Sequence, residues 1–285
     1  MGDDLITRHI RHARVAGLSA NTRTDREELL RRLDADIPGG LAGATIDDLE
    51  RWLGRDPNWS AWTMATYRGH IVAFFQWHAS RYNTVDPSVG LVRPRTPVGL
   101  PKPVTLGELE TTINECRDPW RTYCIIAAYS GARACEIARL HRDDIDEHFV
   151  RLLGKGDKMR EVPMHDEIWQ VVSGKSGLIA RNYYTGGPTR PNAISCGVLS
   201  ALSRIGLSVS IHQFRHFFGT WALMPVELGG AGADLRTVQE LMGHADPKTT
   251  MLYTQVGRAQ RRLAIDGLPR VRKAPLLKVV RDDAA

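Results

Sequence analysis

The sequence predicts a mainly α-helical protein in two parts: a small all-helical N-terminal domain, then a mostly helical domain with a small β-sheet. Three observations carry this expectation. Apolar residues recur at three- and four-residue steps through most of the chain, the repeat that lines one face of a helix. Two short runs, Phe149 to Leu153 and Arg160 to Met164, read as strands, and Gly154-Lys155-Gly156-Asp157-Lys158 joins them with the glycines a hairpin wants. Residues 91–103, LVRPRTPVGLPKP, hold four prolines, two arginines and one lysine with little apolar periodicity, the composition of an extended linker. The expected parts are therefore 1–90, a linker at 91–103, a second domain at 104–266 and a basic tail at 267–285.

In chain order, residues 5–16 form a short helical segment with Arg8, Arg11 and Arg14 on one face. Such a face is ordinarily solvated; a DNA-facing arm is the alternative. Thr24-Asp25-Arg26-Glu27 matches a capping box and predicts a helix from there to about Ala35, ended by Pro38-Gly39-Gly40. Thr45 caps a second helix, Ile46 to Leu53, and a longer one runs from about Ser60 to Tyr82. Tyr67, Ile71, Phe74, Phe75 and His78 make its core stripe, and Asp86-Pro87-Ser88 breaks the pattern.

The second part opens on another capping box, Thr105-Leu106-Gly107-Glu108. A helix to about Cys116 follows, then an apolar one from Pro119 to Tyr129, which Ser130-Gly131-Ala132-Arg133 interrupts before helical spacing resumes from Cys135 to Leu140. Beyond the hairpin, helices are expected near residues 166–172, 192–205, 212–223, 234–242, 247–253 and 258–265. One short apolar run, Leu276-Leu277-Lys278-Val279-Val280, marks the tail.

Composition narrows the class. Hydrophobic residues at 42% and charged residues at 25% are the proportions of an ordinary globular protein. No apolar run approaches the roughly 20 residues that span a bilayer, and the N-terminus lacks the apolar region of a secretory signal, so a cytoplasmic protein with no membrane partner is expected. Cys116, Cys124, Cys135 and Cys196 make no C-x-x-C pair and are expected to be reduced and mostly buried. The net charge is +6, which permits nucleic acid without demanding it. Residues 1–90 carry −1, 91–103 carry +3, 104–266 carry +1 and 267–285 carry +3. The surplus thus lies in linker and tail, where Arg93, Arg95 and Lys102 are candidates to follow a phosphate backbone; a plain tether is the alternative.

Residues 212–253 bring the chemistry into view: His212, Arg215, His216, His244 and Tyr253 fall within this one stretch. Cleaving a phosphodiester without a metal requires cationic donors for the non-bridging oxygens, and the planar fork of arginine suits them best. A tyrosine phenol, with a pKa of about 10, needs help losing its proton, and the departing alkoxide needs a general acid. The chain offers Arg133 after a helix-breaking glycine, Arg215 one turn beyond His212, Lys155 at a hairpin tip, His244 after Gly243, and Tyr253. Singly each is weak: a lone arginine is usually a surface charge, a lone tyrosine a filler. His212 and His216 also form an H-x-x-x-H pair, but Gln213 stands where a zinc protease has Glu and no third ligand is evident; no metal and no cofactor are expected.

Taken in order, the set resembles the tyrosine recombinases, the phage integrase and Xer group. Residues 130–137, SGARACEI, are similar to that family's G-hydrophobic-R-x-S-E-L box. Residues 154–163, GKGDKMREVP, match its G-K-G-x-K-x-R-x-V-P hairpin; HQFRH at 212–216 resembles H-x-L-R-H. DLRTVQELMGH at 234–244 resembles D-L-R-x-V-Q-E-L-L-G-H, and TTMLYT at 249–254 matches T-T-x-x-Y-T. The resemblance covers about 105–266. It implies the DNA breaking-rejoining fold, with residues 1–90 as a core-site DNA-binding domain that clamps DNA together with the catalytic domain. Tyr253 would attack the scissile phosphate to leave a 3′-phosphotyrosyl enzyme; Arg133 and Arg215 would clamp the phosphate; Lys155 would protonate the leaving 5′-oxygen. His212 would assist acid–base transfer and His244 would bond a phosphate oxygen. Neither metal nor ATP is implied. The partners implied are double-stranded DNA at core-type sites, a homotetramer exchanging strands through a Holliday junction, and an accessory DNA-bending or directionality factor, with the tail docking on a neighbouring subunit. Alternatives are a type IB topoisomerase-like nicking–closing enzyme and a non-catalytic DNA-binding protein of the same fold.

Three departures accompany the resemblance. Cys135 replaces serine and Phe214 replaces leucine, both expected to be packing changes. The stretch from Arg215 to Asp234 is longer than usual and contains Pro225, which cannot continue a helix. There is no room for an arm-site domain, so recognition of core sites alone is expected.

Overall fold

The computed structural model describes residues 4–97, 99–154, 156, 158–182 and 185–243. Lys155, His244, Tyr253, the expected helices at 247–253 and 258–265, and the tail at 267–285 lie outside the described residues. The chain divides into two compact units, Met1–Gly99 and Leu100–Ala285.

Among its described residues the first unit holds helices and no strand, with α1 (Leu5–Val15), α2 (Ala20–Asp36), α3 (Ile46–Leu53) and α4 (Ala61–Tyr82). Its core joins Leu29, Leu30 and Leu33 of α2, Leu49 of α3, and Ile71, Phe74 and Phe75 of α4. Tyr67 and His78, expected in the stripe of α4, are only partly buried at its flanks. The second helix starts four residues before the expected Thr24. Ser19 takes the cap, its Oγ accepting the Thr22 N–H at 3.2 Å, which satisfies one of the helix's unpaired N–H groups and leaves Thr24 inside the helix. Thr45 makes the expected capping box with Asp48. On α1, Arg8, Arg11 and Arg14 are exposed, opposite the buried Ile6, His9 and Ala13. Past Leu91, which is buried in this unit's core, no helix or strand forms through residue 103 among the described residues, and Arg93, Arg95 and Lys102 are all exposed.

The second unit is built on α6 (Trp120–Ser130), buried continuously from Thr122 to Ala128; a helix apolar all round belongs in a core. Packed against α6 are α5 (Leu106–Glu115), α7 (Ala134–Ile137), α8 (Asp166–Val172), α9 (Pro191–Ser203) and α10 (Ile211–Leu223). The last described helix, α11 (Leu235–Met242), packs on α10. Gly197 of α9 lies where any side chain would strike the Trp120 ring. β1 (Phe149–Leu153) and β2 (Met159–Pro163) pair antiparallel, with Val150 opposite Val162 and Leu152 opposite Arg160.

Two expectations are corrected here. Helix α7 stops at Ile137, short of Leu140, because the chain tightens: the N–H groups of Arg139 and Leu140 donate to the carbonyls three residues back, Glu136 and Ile137, at 3.1 and 3.3 Å. Only Cys116 and Cys124 are buried, whereas Cys135 and Cys196 are exposed. On α7, Ala134, Glu136 and Ile137 take the inward positions, so Cys135 faces solvent and is not a packing change; Phe214 is fully buried and is one.

The long stretch after α10 is an ordered turn. Pro225 ends the helix, Val226–Leu228 forms one turn of 3₁₀ helix, and the chain folds back. The N–H groups of Ala231, Ala233 and Gly232 donate to the carbonyls of Trp221, Ala222 and Met224 at 3.0, 2.8 and 2.8 Å, closing the end of α10.

Candidate active site

Three segments far apart in sequence meet at the end of α11. The first is the break after α6. Gly131 ends that helix in the left-handed region, φ 64°, and a Cβ there would sit 2.8 Å from the Phe218 ring, so only glycine fits. The turn delivers Arg133 as the cap of α7. The second is α10, opened by a box in which Ser210 N–H donates to Gln213 Oε1 at 2.8 Å. The third is α11, capped by Asp234, whose Oδ1 accepts from the N–H groups of Arg236 and Thr237 at 2.9 and 3.0 Å.

Helix α11 ends at Gly243 with φ 61°. Its last carbonyls have no partner within the helix and form the negative pole of its dipole. Arginines occupy them. Arg160 Nε donates to Leu241 O at 2.7 Å, Arg215 Nη2 to Met242 O at 2.7 Å, and Arg133 to Met242 O and Gly243 O at 3.4 Å each. Arg215, only 3% exposed, also donates through Nη1 to the Gly131 carbonyl, tying α6 to α11.

Beneath them lies Glu136, with no side-chain exposure. Arg160 grips both its oxygens, at 2.6 and 2.8 Å; the Arg133 N–H adds a bond of 2.8 Å and its Nη1 one of 3.1 Å. Burial pushes the Glu136 carboxyl up, but the bonds and charge of Arg160, with the N–H and charge of Arg133, outweigh it and hold the pKa below its ordinary value. Among the described residues three guanidinium groups gather around this one carboxylate, and the Arg133 side chain is 30% exposed. This arrangement suits an anion.

His212 stands on the first turn of α10, exposed on its outer side. Desolvation on its inner side, then the charges of Arg215 and Arg133, lower its pKa, so the ring is neutral near pH 7. His216 is pushed down to about 4 by burial, then by His212 and Arg215. The two rings lie 6.0 Å apart, edge to face, and among the described residues no three His, Cys, Asp or Glu side chains gather as metal ligands.

The structure thus brings Arg133, Arg215 and His212 together; Lys155, His244 and Tyr253 lie outside the described residues. Sequence reading gave no role to Glu136 or Arg160, although both lie inside the motifs. A signal existed: Arg160 is two residues before the buried Val162 on β2, so both side chains point to the same, inward face, where an arginine needs a partner.

Comparison with known proteins agrees with this picture. The model of the phage integrase family matches residues 104–260. Tyrosine recombinase XerD of Listeria monocytogenes is 30% identical, over 84% of this chain and 89% of that protein. Tyrosine recombinase XerC of Corynebacterium efficiens is 30% identical, over 85% and 83%. Among solved structures, a lambda integrase dimer bound to a COC′ core site has a TM-score of 0.69 at 14% identity, over 86% of this chain and 95% of that one. XerH site-specific recombinase bound to a palindromic difH substrate gives 0.66 at 17%, over 92% and 94%; at these identities the likeness concerns the fold. Motif order, fold and relatives agree: the chain belongs to the phage integrase family, and is a tyrosine recombinase.

Proposed function

We propose that this recombinase breaks and rejoins duplex DNA at specific core-type sites through a 3′-phosphotyrosyl intermediate on Tyr253. The observation that carries the reading is the convergence of Arg133 and Arg215 on one carbonyl, Met242 O, at the end of the helix that leads to His244. The shared carbonyl holds the two guanidinium groups side by side, and the Arg133 side chain, 30% exposed, offers its fork to the non-bridging oxygens of a phosphodiester. In the step itself, the Tyr253 phenolate oxygen bonds to phosphorus and the bond to the 5′-oxygen breaks. His212, neutral near pH 7, takes the phenolic proton, Lys155 supplies a proton to the leaving 5′-oxygen, and His244 bonds a phosphate oxygen. The bond energy is kept in the phosphotyrosyl link, so neither ATP nor a metal is needed; attack by the 5′-hydroxyl of a partner strand reverses the chemistry. Two rounds, on two duplexes held by four copies, exchange strands through a Holliday junction. Residues 1–90 and the basic side chains Arg93, Arg95 and Lys102 hold the DNA, and an accessory DNA-bending or directionality factor is a candidate further partner.

The test is covalent capture on a pool of labelled, nicked DNA duplexes of random sequence, with EDTA present. The parent protein is expected to form adducts that survive denaturation, and Tyr253→Phe to form none while still retaining DNA on a filter. Adducts in Tyr253→Phe, or their loss in EDTA, would overturn the reading. Relaxation of supercoiled plasmid with no preferred site would favour a nicking–closing enzyme instead.

A further inference from the structure

We infer that Arg160 is a positioning residue of this site: it takes both carboxylate oxygens of Glu136, limits the hold of Glu136 on the Arg133 guanidinium to one bond, and fixes the carbonyl end of α11. The inference rests on the reading of Arg133 as a phosphate clamp. Glu136 has no side-chain exposure and Arg160 only 11%, so this is no surface pair. A fully buried carboxylate requires cationic partners. Arg160 meets that requirement with both ends of its fork, at 2.6 and 2.8 Å. The Arg133 guanidinium is left with a single side-chain bond to Glu136, at 3.1 Å. Without Arg160, Arg133 is the cation already in contact, and Glu136 would draw its fork inward. An arginine engaged in that way has fewer donors for a phosphate.

The same guanidinium sets a second position. Its Nε donates to Leu241 O at 2.7 Å, bridging 81 residues of chain. It also packs against Gly243, where a Cβ would lie 3.1 Å from Nη1 and 3.2 Å from Cδ. One side chain on β2 therefore ties the hairpin strand and the α7 box to the last described residue before His244. Arg160 touches no reacting atom; it acts through Arg133 and α11.

The experiment compares Arg160→Met, which keeps the stem but removes charge and donors, with the double variant Arg160→Met/Glu136→Gln. Capture is timed on the nicked random-sequence pool with full-length protein in excess, DNA retention is measured on filters, and thermal melts establish the folded fraction of each variant. Arg160→Met is expected to slow capture on the order of tenfold while DNA retention changes by less than about threefold. Removing the carboxylate charge in the double variant releases Arg133 and recovers much of the rate. Parental capture by Arg160→Met, or a double variant no faster than Arg160→Met per folded molecule, overturns the inference. Should Arg160→Met not fold, Arg160→Lys replaces it, with an intermediate rate expected and a parental rate overturning. Arg133→Met separates the two levels. If it captures as the parent does, the clamp reading falls and takes this inference with it; if it is dead while Arg160→Met is fast, only the role of Arg160 falls.

Discussion

His9 shows how one side chain contributes to the response of the first unit to pH, beside His70, whose pKa burial also lowers. It is 2% exposed, packed against Phe74 and Trp77 with ring centroids 5.3 and 4.9 Å away, and its Nε2 faces Arg26 Nη1 at 3.4 Å. Desolvation, followed by the charge of Arg26, lowers its pKa from 6.5 to about 4. Above pH 6.5 it is neutral in both states; between there and about 4 only the unfolded chain takes the proton, so stability falls as pH falls. The shift corresponds to about 3 kcal/mol at its full extent. Melts of the full chain should show a loss of stability from pH 7 to 4.5, and His9→Phe should flatten that slope. Gly243→Ala is the second prediction at this scale. A side chain at φ 61° costs about 1–2 kcal/mol, and this one would also press on Arg160; a lower denaturation midpoint and slower capture are expected together. Arg133, His212 and Arg215 were legible in the sequence because their motifs are local. Arg160 and Glu136 were not, because their pairing crosses 24 residues and depends on which face of a strand turns inward.

Among the elements, α6 and α10 carry the second unit, and the side chains of the site are placed from them. Phe214 of α10 is fully buried in the same cluster as Ile125 and Ile126 of α6. Phe214→Ala should cost about 3–5 kcal/mol, read as a shift in denaturation midpoint, and should move Arg215 next to it. Asp234→Ala, which removes two N–H partners at the start of α11, should cost about 1 kcal/mol and leave the core intact. Helix starts such as Thr45 and Thr105 were readable because a capping box involves residues only three apart. The start of α2 misled because Thr24-x-x-Glu27 offers an equally good local signature, while Ser19 makes the bond that forms.

For the whole molecule, the division between Gly99 and Leu100 falls in a stretch whose prolines suit neither helix nor sheet. Arg93 and Lys102 precede prolines, which block trypsin, whereas exposed Arg95 precedes Thr96. Brief trypsin treatment should therefore cut first after Arg95 and release two folded pieces, identified by mass; an initial cut inside α4 or α6 would contradict this division. The turn at 224–233 has a practical consequence of another kind. Its outer residues, Val226 and Leu228, are 67% and 41% exposed, while its returning segment seals the carbonyls of Trp221 and Ala222 in α10 and of Met224 just after it. The tip at Glu227 is thus a place to splice in a tag or fluorophore, whereas excising the turn would strip the seal from the helix that holds Arg215.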